Sequence, residues 1–237
     1  MRLATVIHQG RPRAGRVSDD GARIALLPGD GSRGALPWIE AQARGEAWPA
    51  AEGELALRAA ELLAPLPQPR RNLWCVGRNY RAHASELKES VFKDNAAQVD
   101  AWPIVFTKVP ETVVGPHAEV RLPGAAITAQ IDYEAELAVV IGRGGRNIAR
   151  ADAMAHVFGY TIVNDVTARD VQMRHQQWDL GKSFDTFCPM GPWIVTADEL
   201  DGRDTRVRGW VTPAGGASEL RQDGRTRDMI FDIPTLI

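Results

Sequence analysis

The sequence predicts an α+β, β-rich fold with a small α/β unit at its start and a larger unit after it. Two observations carry this. Short apolar runs of strand length outnumber helical stretches, and the helices do not alternate regularly with strands as they do in a doubly wound parallel sheet. In addition, Pro65, Pro67 and Pro69 form a stiff connector that cannot lie inside a helix, which places a boundary between residues 1–68 and 69–237.

In the first unit, Leu3–Ile7 and Arg23–Leu27 read as strands, with a turn at Ser18-Asp19-Asp20-Gly21 between them. Residues 52–63 read as a helix with Leu55, Ala59, Leu62 and Leu63 on one face. The larger unit opens with a strand over Leu73–Gly77, followed by a polar helical stretch from about Tyr80 to Asn95. Further strands are expected at Ile104–Lys108, Ala135–Ile141, Val157–Val163 and Trp193–Thr196, and short helices near 150–156 and 167–178. Thr212–Gly216 reads as a hairpin loop, and Asp232–Ile237 as a helix beginning with Pro near its first position.

The 237 residues are 44% hydrophobic and 24% charged, ordinary for a chain that buries a core. A formal net charge of -2, with acidic residues scattered among the arginines, gives no surface suited to nucleic acid or anionic membranes. The start carries no signal-peptide run, and no window of about 18 apolar residues predicts a membrane span. Cys75 and Cys188 have no metal-ligand spacing and suit a reducing cytoplasm, although two cysteines can in principle pair. A cytoplasmic location is the expectation.

The chemistry concentrates in Asp132-Tyr133-Glu134-Ala135-Glu136-Leu137, which runs into the apolar Ala138–Ile141. On a strand Glu134 and Glu136 point the same way, roughly 7 Å apart. Two carboxylates on one face repel unless something positive lies between them, so a bound cation is the economical explanation. A solvent-facing strand edge with incidental glutamates is the alternative. A third carboxylate, Asp165, follows the apolar strand Val157–Val163, where it serves either as a ligand or as the N-cap of the helix starting near Thr167. Three carboxylates without Cys or His favour Mg²⁺, Mn²⁺ or Ca²⁺ over Zn²⁺ and leave positions open for a chelating substrate.

The segments Gly77–Glu86, Phe106-Thr107-Lys108, Asp132–Glu136, Asn164–Asp170 and Gly181–Asp185, in this order, resemble the fumarylacetoacetate hydrolase family over about residues 70–237. The resemblance implies a roll of mixed β-sheets, usually paired as a homodimer, with Glu134, Glu136 and Asp165 holding a divalent metal, Mg²⁺ first. It implies catalytic roles for His83 and Glu86, which share a helix face and would activate water, and for Lys182, which would stabilise an oxyanion. Gln172 matches a polar substrate contact, and Arg78 and Lys108 suit carboxylate binding by charge. Taken alone, His83 also reads as a surface histidine and Lys182 as a solvated lysine.

The implied reaction is hydrolysis of a C–C bond in a small 2-oxo acid of the acylpyruvate type. Decarboxylation and isomerisation share the same chelated enolate and are the alternatives. A non-catalytic protein that binds metal and oxo acid is another, as is a structural Ca²⁺ site in an unrelated β protein. Family members usually continue past the Asp232–Ile237 segment into further strands and a Thr-Gly-Thr-Pro-x-Gly loop, so the resemblance also implies a chain cut short at its end.

Overall fold

Residues 2–17 fold into a hairpin because a two-residue connection lets the chain reverse with both of its residues left-handed. In the computed structural model, which describes residues 1–58, 61–81, 101–174 and 176–237, β1 (Arg2–His8) pairs with β2 (Arg11–Val17) from Arg2↔Val17 to His8↔Arg11. The intervening Gln9 and Gly10 have φ of 51° and 74°, the signs that twisted strands require of such a turn. β2 was not expected from sequence, because its arginines and Pro12 mask the buried Ala14 and Val17.

β3 (Arg23–Leu26) joins β2, and β4 (Gly53–Ala56) joins β3. The helix expected over 52–63 is therefore corrected. Leu55 lies opposite Ile24 and packs on the cluster of Ala4, Val6, Ile24 and Leu62, while β5 (Leu62–Leu63) pairs with β1. Pairing at a sheet edge outweighs the local helical pattern. Between β3 and β4, α1 (Leu36–Ala43) begins with Pro37 in its first turn and buries Ile39 and Ala41.

The second stretch contributes β6 (Leu73–Gly77) and β7 (Ile104–Lys108), an antiparallel pair, and β8 (Val113–Val114). Then come β9 (Ile131–Asp132), β10 (Ala135–Ile141), β11 (Val157–Asn164) and β12 (Thr167–Ala168). Two single-turn helices, α2 (Arg169–Gln172) and α3 (Asp179–Lys182), precede β13 (Cys188–Thr196). The hairpin β14 (Arg206–Val211) and β15 (Glu219–Arg225) closes over the expected loop at 212–216. α4 (Ile233–Leu236) starts with Pro234 in its first turn, under an Asp232 cap.

The main sheet runs β10-β11-β13-β1-β2-β3-β4, so the opening strand β1 lies between β13 and β2. One core cluster joins Leu3, Leu27 and Ile39 to Val140 and Ile194, and both stretches of the chain contribute to it. Cys75 and Cys188 are free thiols. Among the described residues no helix is long and apolar enough to cross a membrane.

Close contact between β11 and β13 leaves Gly159 without room for a side chain. A Cβ at Gly159 on β11 would press on the Val195 carbonyl and lie 2.9 Å from Thr196 Cα. Gly159→Ala is expected to cost about 1–3 kcal/mol, read as a melting temperature lower by several degrees. An unchanged melting curve would show that β11 and β13 can separate freely.

Candidate metal and oxo-acid site

The register of β10 against β11 builds the site. Ala135 pairs with Asn164, so the residues just outside the two strand ends, Glu134 and Asp165, meet. Asp165 N donates to the Glu134 carbonyl at 2.9 Å, and Glu134 N donates to Asn164 Oδ1 at 3.1 Å. Two residues along, Glu136 projects to the same side. Oxygens of Glu134, Glu136 and Asp165 lie within 4.8 Å of one another, with Asp165 buried and both glutamates partly buried. Asp165 is not a helix cap: α2 begins only after Ala168, and the Asp165 carboxylate instead meets two lysines.

Lys182 Nζ donates to Glu134 Oε2 at 2.5 Å and Asp165 Oδ2 at 2.7 Å, and sits 4.7 Å from the centre of the Phe106 ring. Its helix α3 is docked by Asp179, whose carboxylate accepts from Thr107 N at 3.0 Å and Thr107 Oγ1 at 2.9 Å. Gly181 lets α3 approach α2, since a Cβ there would lie 2.5 Å from Gln172 N. Lys108 is 1% exposed and donates to Asp165 Oδ1 at 2.7 Å, to the Val166 carbonyl at 3.1 Å and to the Lys182 carbonyl.

Two further groups at the site were not expected from the sequence, Arg169 and Thr167. Arg169 donates to Glu134 Oε1 at 2.8 Å, to Asp132 Oδ2 at 2.7 and 2.9 Å, and to Gln172 Oε1 at 3.1 Å. Thr167 Oγ1 donates to Glu134 Oε2 at 3.0 Å. The available signal was the period-two spacing of Asp132, Glu134 and Glu136, matched by Asp165, Thr167 and Arg169 on the neighbouring segment. Thr167 indeed lies opposite Asp132 where β12 pairs with β9.

Burial raises the Glu134 pKa, but Lys182 and Arg169 outweigh it and hold the carboxyl down to about 2. Burial likewise works against the Lys182 ammonium, yet Asp165 and Glu134 keep its pKa above the usual lysine value. Glu136 goes the other way: burial first, then the charges of Asp165 and Glu134, push it up to about 8. Among the described residues no cation is hydrogen-bonded to Glu136. This carboxyl, set beside two others, fits a divalent cation, and the all-oxygen donor set fits Mg²⁺, Mn²⁺ or Ca²⁺.

Of the other expected site residues, Arg78 is buried with a φ of 57°. Its neighbour Asn79 is tied to Phe231 by side-chain bonds of 2.9 and 2.8 Å. Gln172 is buried against Arg169. His83 and Glu86 lie outside the described residues.

The family profile of the fumarylacetoacetate (FAA) hydrolase C-terminal domain matches residues 72–237. The chain is 47% identical over 187 residues to oxaloacetate tautomerase YisK of Bacillus subtilis, covering 77% of this chain and 57% of that protein. The curated relatives it matches are longer, and it spans 51–57% of their lengths. Its fold superposes on a fumarylacetoacetate hydrolase from Exiguobacterium antarcticum with a TM-score of 0.78 at 36% identity, covering 100% of this chain and 79% of that one. It also matches maleylpyruvate hydrolase from Sphingobium sp. SYK-6, solved with manganese(II) and pyruvate, with a TM-score of 0.67 at 29% identity, covering 100% and 81%. With the profile spanning most of its length and its β-rich architecture shared, the chain belongs to the fumarylacetoacetate hydrolase family.

Proposed function

We propose that this chain is a divalent-metal enzyme that interconverts keto and enol forms of a small 2-oxo diacid of the oxaloacetate class. The observation that carries this is the meeting of Glu134, Glu136 and Asp165 within 4.8 Å, beside the ammonium of Lys182. The choice of tautomerisation rests on the relative with 47% identity, an oxaloacetate tautomerase. Manganese(II) and pyruvate in the Sphingobium hydrolase support both the cation and the 2-oxo acid.

Glu134, Glu136 and Asp165 are the proposed ligands, for Mg²⁺ or Mn²⁺. A divalent cation held there would supply Lewis acidity, making the C–H beside the 2-oxo group more acidic. Lys182 is shared between two of the carboxylates, and it donates to substrate oxygen once they are neutralised. Arg169 keeps Glu134 in place through Oε1. His83 and Glu86 are the proposed proton-moving pair.

A second reading, C–C bond hydrolysis of an acylpyruvate, is favoured by the maleylpyruvate hydrolase neighbour. It needs an activated water in addition to the same enolate, and His83 with Glu86 is the pair that would supply it. The proposed assembly is a homodimer, supported by apolar side chains left exposed on the two-stranded sheets, such as Trp74 at 74% and Trp210 at 51%.

Ultraviolet enol absorbance of oxaloacetate and of several acylpyruvates, followed with Mg²⁺ and again with excess chelator, separates these reactions. Metal-dependent equilibration of oxaloacetate is the expected result, and cleavage of acylpyruvates alone would select the hydrolase. Altering residues that merely orient metal ligands costs about 10–100-fold, so Glu136→Gln is expected to cost about a hundredfold or more. His83→Ala should leave Mn²⁺ affinity unchanged and remove turnover; full turnover would sink its assigned role.

The pH dependence of stability has a definite sign. Folded Glu136 holds its proton up to about pH 8, whereas the unfolded chain releases it near 4.5. Its contribution is therefore complete below 4.5 and is lost as pH rises towards 8. Glu134 has the opposite sign, but its contribution fades only as pH falls from 4.5 towards 2. The metal-free melting temperature should decline from pH 5 to 8, and saturating Mg²⁺, which takes the proton's place, should flatten the decline. A metal-free curve that climbs over this range would contradict the assignment.

A further inference from the structure

Two lysines meet Asp165, and they are not equivalent. Lys182 takes Oδ2 and shares its ammonium with a second carboxylate, Glu134. Lys108 takes Oδ1, and its other two partners are backbone carbonyls, those of Val166 and Lys182. An ammonium has three N–H donors, so Lys108 has none left for a substrate. A cation entering among the carboxylates competes with Lys182 for its partners. It leaves the carbonyl partners of Lys108 untouched.

We infer that Lys108 is a positioning residue, a role that deepens the metal-site reading above and rests on it. It grips Asp165 by one oxygen and leaves the other for the metal. By holding the Lys182 carbonyl, it also fixes the backbone from which that lysine reaches the same carboxylate. The strand that carries it is committed to this task. On β7, Phe106 lies under the Lys182 ammonium, Thr107 anchors Asp179 of α3, and Lys108 enters beneath Asp165.

Simple electrostatics predicts the opposite effect of removing Lys108, which makes the role testable by sign. A buried positive charge opposes a divalent cation nearby, so a mere bystander charge would weaken metal binding, and its loss would tighten it. Loss of a positioning residue instead leaves Asp165 Oδ1 buried and unpaired, free to turn away, and weakens binding.

The experiment is Mn²⁺ titration of the full chain, with free Mn²⁺ read by electron paramagnetic resonance, alongside thermal melting. Lys108→Met is expected to bind Mn²⁺ about tenfold or more weakly. Equal or tighter binding overturns the role. Asp165→Asn tests the underlying reading separately, because unchanged Mn²⁺ affinity there overturns the metal site itself.

Lys108→Met strands a buried carboxylate and can fail to fold; the double variant Lys108→Met/Asp165→Asn removes both charges. If Lys108 acts through Asp165, the double variant binds Mn²⁺ within about twofold of Asp165→Asn alone. A departure of about tenfold in either direction overturns the proposal.

Discussion

Like charges held close together in a protein interior must be offset, and this site concentrates three carboxylates within 4.8 Å. Burying even one carboxylate without a partner is costly. The surrounding elements make sense as sources of positive charge brought from different parts of the chain. β7 delivers Lys108, α3 delivers Lys182 and α2 delivers Arg169. Glu136 is the carboxyl that these cations do not bond; burial, then the charges of Asp165 and Glu134, push its pKa up to about 8, and a metal ion suits the place beside it.

Rigidity follows from the same arrangement. Glu134 and Asp165 are joined through backbone and side-chain hydrogen bonds at the ends of β10 and β11, so neither can shift without the other. β11 is held by β13, and β13 in turn by β1 at the start of the chain. The opening stretch thus braces the sheet that carries two of the three carboxylates at its strand ends. A site placed on paired strands keeps its ligands at fixed spacing, which differential binding of a reacting oxo acid requires.

The two helices beside the site are single turns, too short to be stable alone. Their positions come from side chains: Asp179 binds β7, Arg169 binds Asp132 and Glu134, and Gly181 permits the close contact with Gln172. Lys182, which by its local sequence reads as a solvated lysine, thereby becomes a buried counter-charge, and the partly buried Arg169 a second one.

Much of this was legible along the chain because it depends on near neighbours. The spacing of Glu134 and Glu136, the apolar strand ending at Asp165, and the strands at 104–108 and 135–141 follow from local alternation and composition. The family followed from several short motifs in order. β4, β2 and the partners of Arg169 and Lys108 did not, because they depend on residues distant in sequence. Lys108 reaches Asp165 across 57 positions, and Lys182 reaches Glu134 across 48. A lysine's type advertises positive charge, which suits substrate and structural carboxylate alike. Only folding decides which acceptors surround the ammonium, and here it spends all three Lys108 donors inside the protein.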